Sequence, residues 1–344
     1  MTHVDRSIEV ILAGQHDSGA YVACPTFPTY RYAWLRDGAW CAYALGLYDK
    51  WDSAGRFHRF AARCVLDHAE LFGASRVVEP PTRYTLDGRI EDPGDEPWPN
   101  FQLDGYGTWL WALAEHARTG HPPTGTELDA ARLVARYLRE NGAASCYDCW
   151  EEYGDRRHTA TLGSVIAGLT GAAELLSDED SAIAAAGLRE LLGEHVRDGS
   201  FVKHDATDGV DASLLWLSTP LRVVPADEPV MVRTAQRIAD ELTGPTGGVF
   251  RYRGDTYYGG GEWVLSTAWL GWYHAETGDM ETARARLRWV EEAFTEADEL
   301  PEQTVDYPQD TEMVVPWVAK WGPVATPLLW SHAMHLVLAA AIPD

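Results

Sequence analysis

Positive charge is scarce in this chain. Against 52 Asp and Glu stand 28 Lys and Arg, of which only Lys50, Lys203 and Lys320 are lysines, and the formal net charge is −24. Nucleic acids and anionic membrane surfaces are bound by basic patches that neutralise phosphates, so neither is expected as a partner, and a neutral ligand fits better. Arginine in place of lysine beneath an acidic excess suits a GC-rich genome or a salt-adapted surface, where ions screen self-repulsion. Cysteine is sparse too. Cys24, Cys41, Cys64, Cys146 and Cys149 make an odd number in 344 residues, which speaks against a disulfide framework. Cys146 and Cys149 form a lone C-x-x-C with no second pair and no histidine at finger spacing, so free loop thiols are expected rather than zinc. No segment approaches a membrane span, and Met1 to Val10 carries Asp5, Arg6 and Glu9 where a signal peptide needs an apolar run. The expectation is a soluble, cytoplasmic protein.

What is present is apolar residue, aromatic residue and helical period. A hydrophobic content of 46% is ample for a large core. Fifteen Trp and fifteen Tyr supply flat faces that either pack a core or stack against sugar rings. Apolar residues at spacings of three and four, as at Met280, Ala283, Leu287, Val290 and Phe294, predict amphipathic helix. Twelve such segments begin near Ser7, Gly38, Ser53, Gly105, Thr126, Thr161, Asp180, Ala212, Pro229, Trp263, Met280 and Pro327. Six helical hairpins close into a double-layered (α/α)6 barrel, and the expectation is one all-α domain over residues 1–344. Connections after even-numbered helices are short. Those after odd-numbered helices are long and rich in Trp, Tyr, Asp, Glu, Arg and Gly: Gly19 to Asp37, Ser75 to Asp104, Cys146 to His158, Gly199 to Asp211, Gly244 to Glu262 and Pro301 to Thr326. In an up-and-down barrel all six emerge at one end, where function concentrates.

Two of these loops carry glutamates suited to acid–base work. Glu151 follows Trp150, and in an apolar pocket its carboxyl would stay protonated as a general acid requires; taken alone, the Glu151-Glu152 pair reads better as a solvated acidic pair. Glu302 follows the eleventh helix at the same predicted end. Two facing carboxyls roughly 6.5–9.5 Å apart suit inverting glycoside hydrolysis, which needs water but no metal or organic cofactor. In the first loop, Arg36 and Asp37 can fork hydrogen bonds to adjacent sugar hydroxyls above Trp34. The stretches Asn100 to Gly107 and Arg251 to Tyr258, the second leading to Glu262-Trp263, repeat the mixture of aromatics and hydrogen-bonding groups.

From Tyr21 to Ala333 the chain resembles glycoside hydrolase family 15, the glucoamylase and glucodextranase group. Five ordered blocks carry the likeness: Tyr30 to Asp37, Trp98 to Gly105, Trp150 to Gly154, Arg251 to Trp263, and Pro301 to Gln303 with Trp330-Ser331-His332. The resemblance implies Glu151 as acid, Glu302 as base, and Tyr30 as the residue holding the attacking water. It implies that Arg36 and Asp37 grip the terminal glucose with help from Arg251, that Trp34, Trp98, Trp150 and Trp263 line the pocket, and that Glu152 reaches the next sugar. Tyr257 and Glu262 join the candidate substrate-binding residues. The chain has no room for the β-sandwich or starch-binding domain of other members, and its Gly259 to Glu262 run differs from fungal ones. The implied activity is an inverting exo-α-glucosidase releasing β-glucose from short α-gluco-oligosaccharides. Trehalase and α-1,6-glucosidase activities remain alternatives on the same site. An inactive sugar-binding barrel is another, as is an epimerase using His158, His204, His332 or His335.

Overall fold

A computed structural model describes residues 2–73, 79–92 and 98–343. Six elements form a closed inner ring: α2 (Leu35–Gly46), α4 (Asp104–Arg118), α6 (Thr159–Leu176), the 3-10 helix Ala212–Leu217, α9 (Val264–Glu276) and α12 (Leu329–Ala341), each packed on the next and α12 back on α2. Around them lie α1 (His3–Ala13), α3 (Trp51–Asp67), α5 (Gly125–Asn141), α7 (Glu179–Gly193), α8 (Pro229–Leu242) and α10 (Met280–Glu292). The all-α double-layered (α/α)6 barrel is the observed fold.

Composition explains the two layers. Outer helices are amphipathic; α8 buries Met231, Thr234, Ala235, Ile238 and Leu242, one stripe at helical spacing. Inner helices are covered on both sides, so they are apolar nearly all round. The extreme is α6, whose 18 residues are long and apolar enough to cross a membrane, against the expectation that no segment would be; 72% of it is buried inside the barrel, and the property is that of a core helix. It meets α4 through glycines. A Cβ on Gly107 would lie 2.4 Å from the Ser164 carbonyl oxygen, and one on Gly168 would lie 2.5 Å from that of Gly107.

Two expectations about the helices are also corrected. The eighth barrel position is not an α-helix but the six-residue 3-10 helix Ala212–Leu217, stopped by Ser218, Thr219 and Pro220, because the residue before a proline is steered out of helical geometry. A further helix, α11 (Val314–Trp321), stands inside the stretch Pro301 to Thr326 expected to be loop. Its Pro316 falls in the first turn, where a missing N–H costs no hydrogen bond.

The long connections do emerge at one end, and short strands clamp them in pairs. β1 (Ala33–Trp34) pairs with β2 (Arg83–Tyr84), with Trp34 opposite Arg83. β3 (Val196–Arg197) and β4 (Ser200–Phe201) form a hairpin. β5 (Glu262–Trp263) pairs with β6 (Gln303–Thr304), with Trp263 opposite Gln303. Of the Ser75 to Asp104 loop, residues 75–78 and 93–97 lie outside the described residues. Beneath the loops the barrel axis is filled by indoles: the Trp216 ring is 5.7 Å from Trp40, 5.0 Å from Trp269 and 6.0 Å from Trp330.

Candidate active site

Above this indole plug the loops enclose a cavity of ≈ 500 Å³. Twelve of the thirteen candidate residues line it: Tyr30, Trp34, Arg36, Asp37, Trp98, Trp150, Glu151, Glu152, Arg251, Tyr257, Trp263 and Glu302.

Glu151 belongs to a turn built on Asp148. The Asp148 carboxylate accepts the backbone N–H of Trp150 and of Glu152, both at 3.0 Å, and its carbonyl accepts that of Glu151 at 2.9 Å. The turn holds Glu151 at φ 68° and Tyr153 at φ 51°, left-handed conformations that cost a non-glycine residue on the order of 1–2 kcal/mol. The Glu151 carboxyl is gripped by one oxygen: Trp34 Nε1 donates to Oε1 at 2.8 Å and Gln102 Nε2 at 3.1 Å. Oε2 is left for the cavity.

Glu302 is clamped through its backbone, its N–H to the Ala325 carbonyl at 2.9 Å and its carbonyl to the Val264 N–H at 3.3 Å. The Tyr30 hydroxyl donates to Oε1 at 3.2 Å and lies 3.0 Å from the Tyr257 hydroxyl. Oε2 is buried without a partner. Burial pushes Glu302 up to about 8, against the pull of Arg251 and Tyr30, while Asp255 and Glu151 add to the rise. The pocket therefore disfavours the ionised form of Glu302.

The sugar-gripping candidates are buried and pre-oriented. Arg36 Nη1 donates to Gln102 Oε1 at 2.7 Å and to Asp104 Oδ2 at 3.1 Å, leaving Nε beside Asp37 Oδ2 at 3.4 Å, both without a hydrogen bond. Burial lifts Asp37 to about 6 although Arg36 opposes it. Arg251 is gripped by both oxygens of Asp255, reaches Glu152 Oε1 at 3.3 Å, and lies over Trp263 and Trp150. Glu152 also accepts from the Tyr252 hydroxyl.

Glu262 is the exception. It points away from the cavity, accepts from the Thr246 backbone N–H at 3.0 Å and hydroxyl, and anchors the turn at Gly244. Adjacent strand residues face opposite sides, so Trp263 in the wall puts Glu262 outside it. The four histidines hold backbone or core: Ser7 Oγ lies 2.9 Å from His332 and His335, and the His158 ring meets the Tyr153 carbonyl. None lines the cavity. Cys146 and Cys149 are buried free thiols.

The lining also includes residues not named as candidates from the sequence, among them Arg83, Glu91, Trp317, Lys320 and Trp321. Arg83 is sandwiched by Trp98 (3.7 Å) and Tyr32 (4.2 Å) and paired with Glu91, an arrangement created by the β1–β2 pairing. Trp317, Lys320 and Trp321 come from α11. The signal that could have found them is the Trp-x-x-Lys-Trp spacing, which puts three side chains on one helical face.

A family model described as glycosyl hydrolases family 15 matches residues 2–305. The isomaltose glucohydrolase of Kribbella flavida is 39% identical over 355 residues, spanning 96% of this chain and 90% of that relative. Among solved structures, a glycosidase variant in complex with glucose is similar with a TM-score of 0.91 at 38% identity, covering 99% of this chain and 96% of its own. A bacterial glucoamylase complexed with acarbose gives 0.79 at 20% identity, covering 98% and 55%, a likeness of fold.

Proposed function

The chain belongs to glycosyl hydrolases family 15, and from that premise we propose an inverting exo-α-glucosidase that removes the non-reducing terminal glucose from short α-gluco-oligosaccharides and releases β-glucose. The observation that carries the reading is the matched presentation of two glutamates in one cavity, each held at Oε1 with Oε2 left for reaction. Glu151 Oε2 donates a proton to the glycosidic oxygen as its bond to C1 breaks. Water attacks C1 from the opposite face, giving its proton to Glu302 Oε2, while Tyr30 holds that carboxylate. Arg36 Nε and Asp37 Oδ2, ion-paired at 3.4 Å but without a hydrogen bond, offer a donor and an acceptor to the glucose hydroxyls. The Kribbella relative makes isomaltose the first disaccharide to test, with maltose and trehalose as the other arms. Proton NMR at early time, before mutarotation, is expected to show β-glucose; an initial α-anomer signal would sink inversion and the base role of Glu302.

The high Glu302 value favours one second reading, in which the two carboxyls exchange roles. α-Glucosyl fluoride separates them, because fluoride leaves without a proton. With Glu151 as acid, Glu151→Gln keeps most fluoride hydrolysis while losing about 10²–10⁴-fold on isomaltose, and Glu302→Gln loses both. The opposite pattern would establish the exchange.

A further inference from the structure

Behind the acid turn lies a buried charge that the reaction does not use. Lys203 is 7% exposed and does not line the cavity. Its backbone is fixed on both sides, the N–H to the Gly209 carbonyl at 2.8 Å and the carbonyl to the Thr159 N–H at 3.1 Å, at the start of α6. From there Nζ reaches Asp211 Oδ2 at 2.9 Å and Asp148 Oδ2 at 3.1 Å, with Glu152 Oε2 farther at 3.9 Å and the Tyr252 ring centroid at 3.5 Å.

Both aspartates hold the turn that presents Glu151. Asp148 accepts its N–H groups, and Asp211 accepts the Trp150 indole N–H at 2.9 and 3.1 Å. Without Lys203, Asp148 Oδ2 keeps, among the described residues, only His158 Nδ1 at 3.7 Å, a counter-charge only when protonated, and two buried carboxylates so placed repel each other and take up protons or rotate toward water. Either response removes acceptors from a turn whose left-handed residues persist only because their surroundings over-determine them.

We infer that Lys203 is the positioning residue of the acid turn: by bridging Asp148 and Asp211 it fixes the strained backbone that aims Glu151 at the leaving oxygen. The inference rests on the reading of Glu151 as the acid. It requires that loss of Lys203 harm proton delivery more than the rest of the reaction, which general damage to the barrel would not do.

The test compares kcat/KM for isomaltose and for α-glucosyl fluoride in Lys203→Met, with Glu151→Gln alongside. Lys203→Met is expected to lose on the order of 10²-fold on isomaltose and less than about threefold on the fluoride. If Lys203→Met does not fold, the same comparison is made with K203M/D211N, which removes one of the two facing charges but keeps an oxygen for the Trp150 indole. Equal losses on both substrates, or no loss, overturn the inference. If Glu151→Gln itself loses both equally, the acid assignment falls and the inference with it; selective loss in Glu151→Gln without selective loss in the Lys203 variant sinks the inference alone.

Discussion

Glu302 occupies a site that disfavours its own ionised form. Burial lifts it from an ordinary carboxyl value to about 8, so between roughly pH 4.5 and 8 the folded chain binds a proton that the unfolded chain has released. Stability from this group is present below that window and is lost as pH rises through it. Glu302→Gln removes the dependence. Its Tm is expected to exceed that of the wild type by a margin that grows from pH 5 to pH 8, worth on the order of a few kcal/mol at the upper end; a margin independent of pH would refute the coupling. Arg251 is the charge opposing the rise. If Glu302 is the base as proposed, Arg251→Gln should therefore move the acid limb of kcat/KM to higher pH, because Glu302 then ionises later, in addition to any effect on KM. An acid limb that stays put or moves down would mean another group sets it. At this scale the sequence was informative about residue type and weak about direction. The pocket wall contains Trp263 but not its neighbour Glu262, and that follows from strand alternation across the β5–β6 clamp, a pairing between residues far apart in the chain.

Elements carry the site by where they start. α2, α9 and α12 are entered through Trp34, Trp263 and Leu328, extended residues that also line the cavity, and none has a side-chain N-cap. By contrast α1 and α5 open with reciprocal capping boxes, Thr2 with Asp5 and Thr124 with Glu127. Side-chain caps open four of the six outer helices, α1, α5, α7 and α10, and none of the five inner α-helices. The glycine contact between α4 and α6 sets how tightly the ring closes beneath it. Gly107→Ala and Gly168→Ala each drive a methyl into backbone and are expected to cost about 1–3 kcal/mol, read as a lower Tm; a Tm within a degree of wild type would show that the helices separate freely. Eleven of the twelve expected helices were legible because period and turn chemistry agree along them. The 3-10 segment was not, since Ala212–Leu217 is apolar enough for helix and only Pro220 limits it. α11 was hidden by Pro316, which reads as a breaker unless the first turn is placed correctly.

For the whole molecule, an excess of 24 negative charges is a standing repulsion that added salt screens within about 10 Å at 0.1 M and about 3 Å at 1 M. Many of the ion pairs are exposed arginine–carboxylate contacts such as Arg118–Glu174 and Arg89–Asp87, each worth little. Raising NaCl from 0.1 to 1 M is expected to increase Tm by several degrees; a fall would show that pairwise attraction outweighs the net repulsion. The same ring that spreads this charge outward has its axis stopped by indoles, with Trp330 both in the plug and in the cavity floor. A blocked axis dictates traffic. On the proposed reading, a glucose held deepest by Arg36 and Asp37 would have the remainder of the substrate between it and solvent, so the shortened sugar would depart first and glucose last. Turnover is then ordered, each cleavage requires full emptying before the next chain end can enter, and glucose competes directly with substrate while the first-released sugar inhibits noncompetitively.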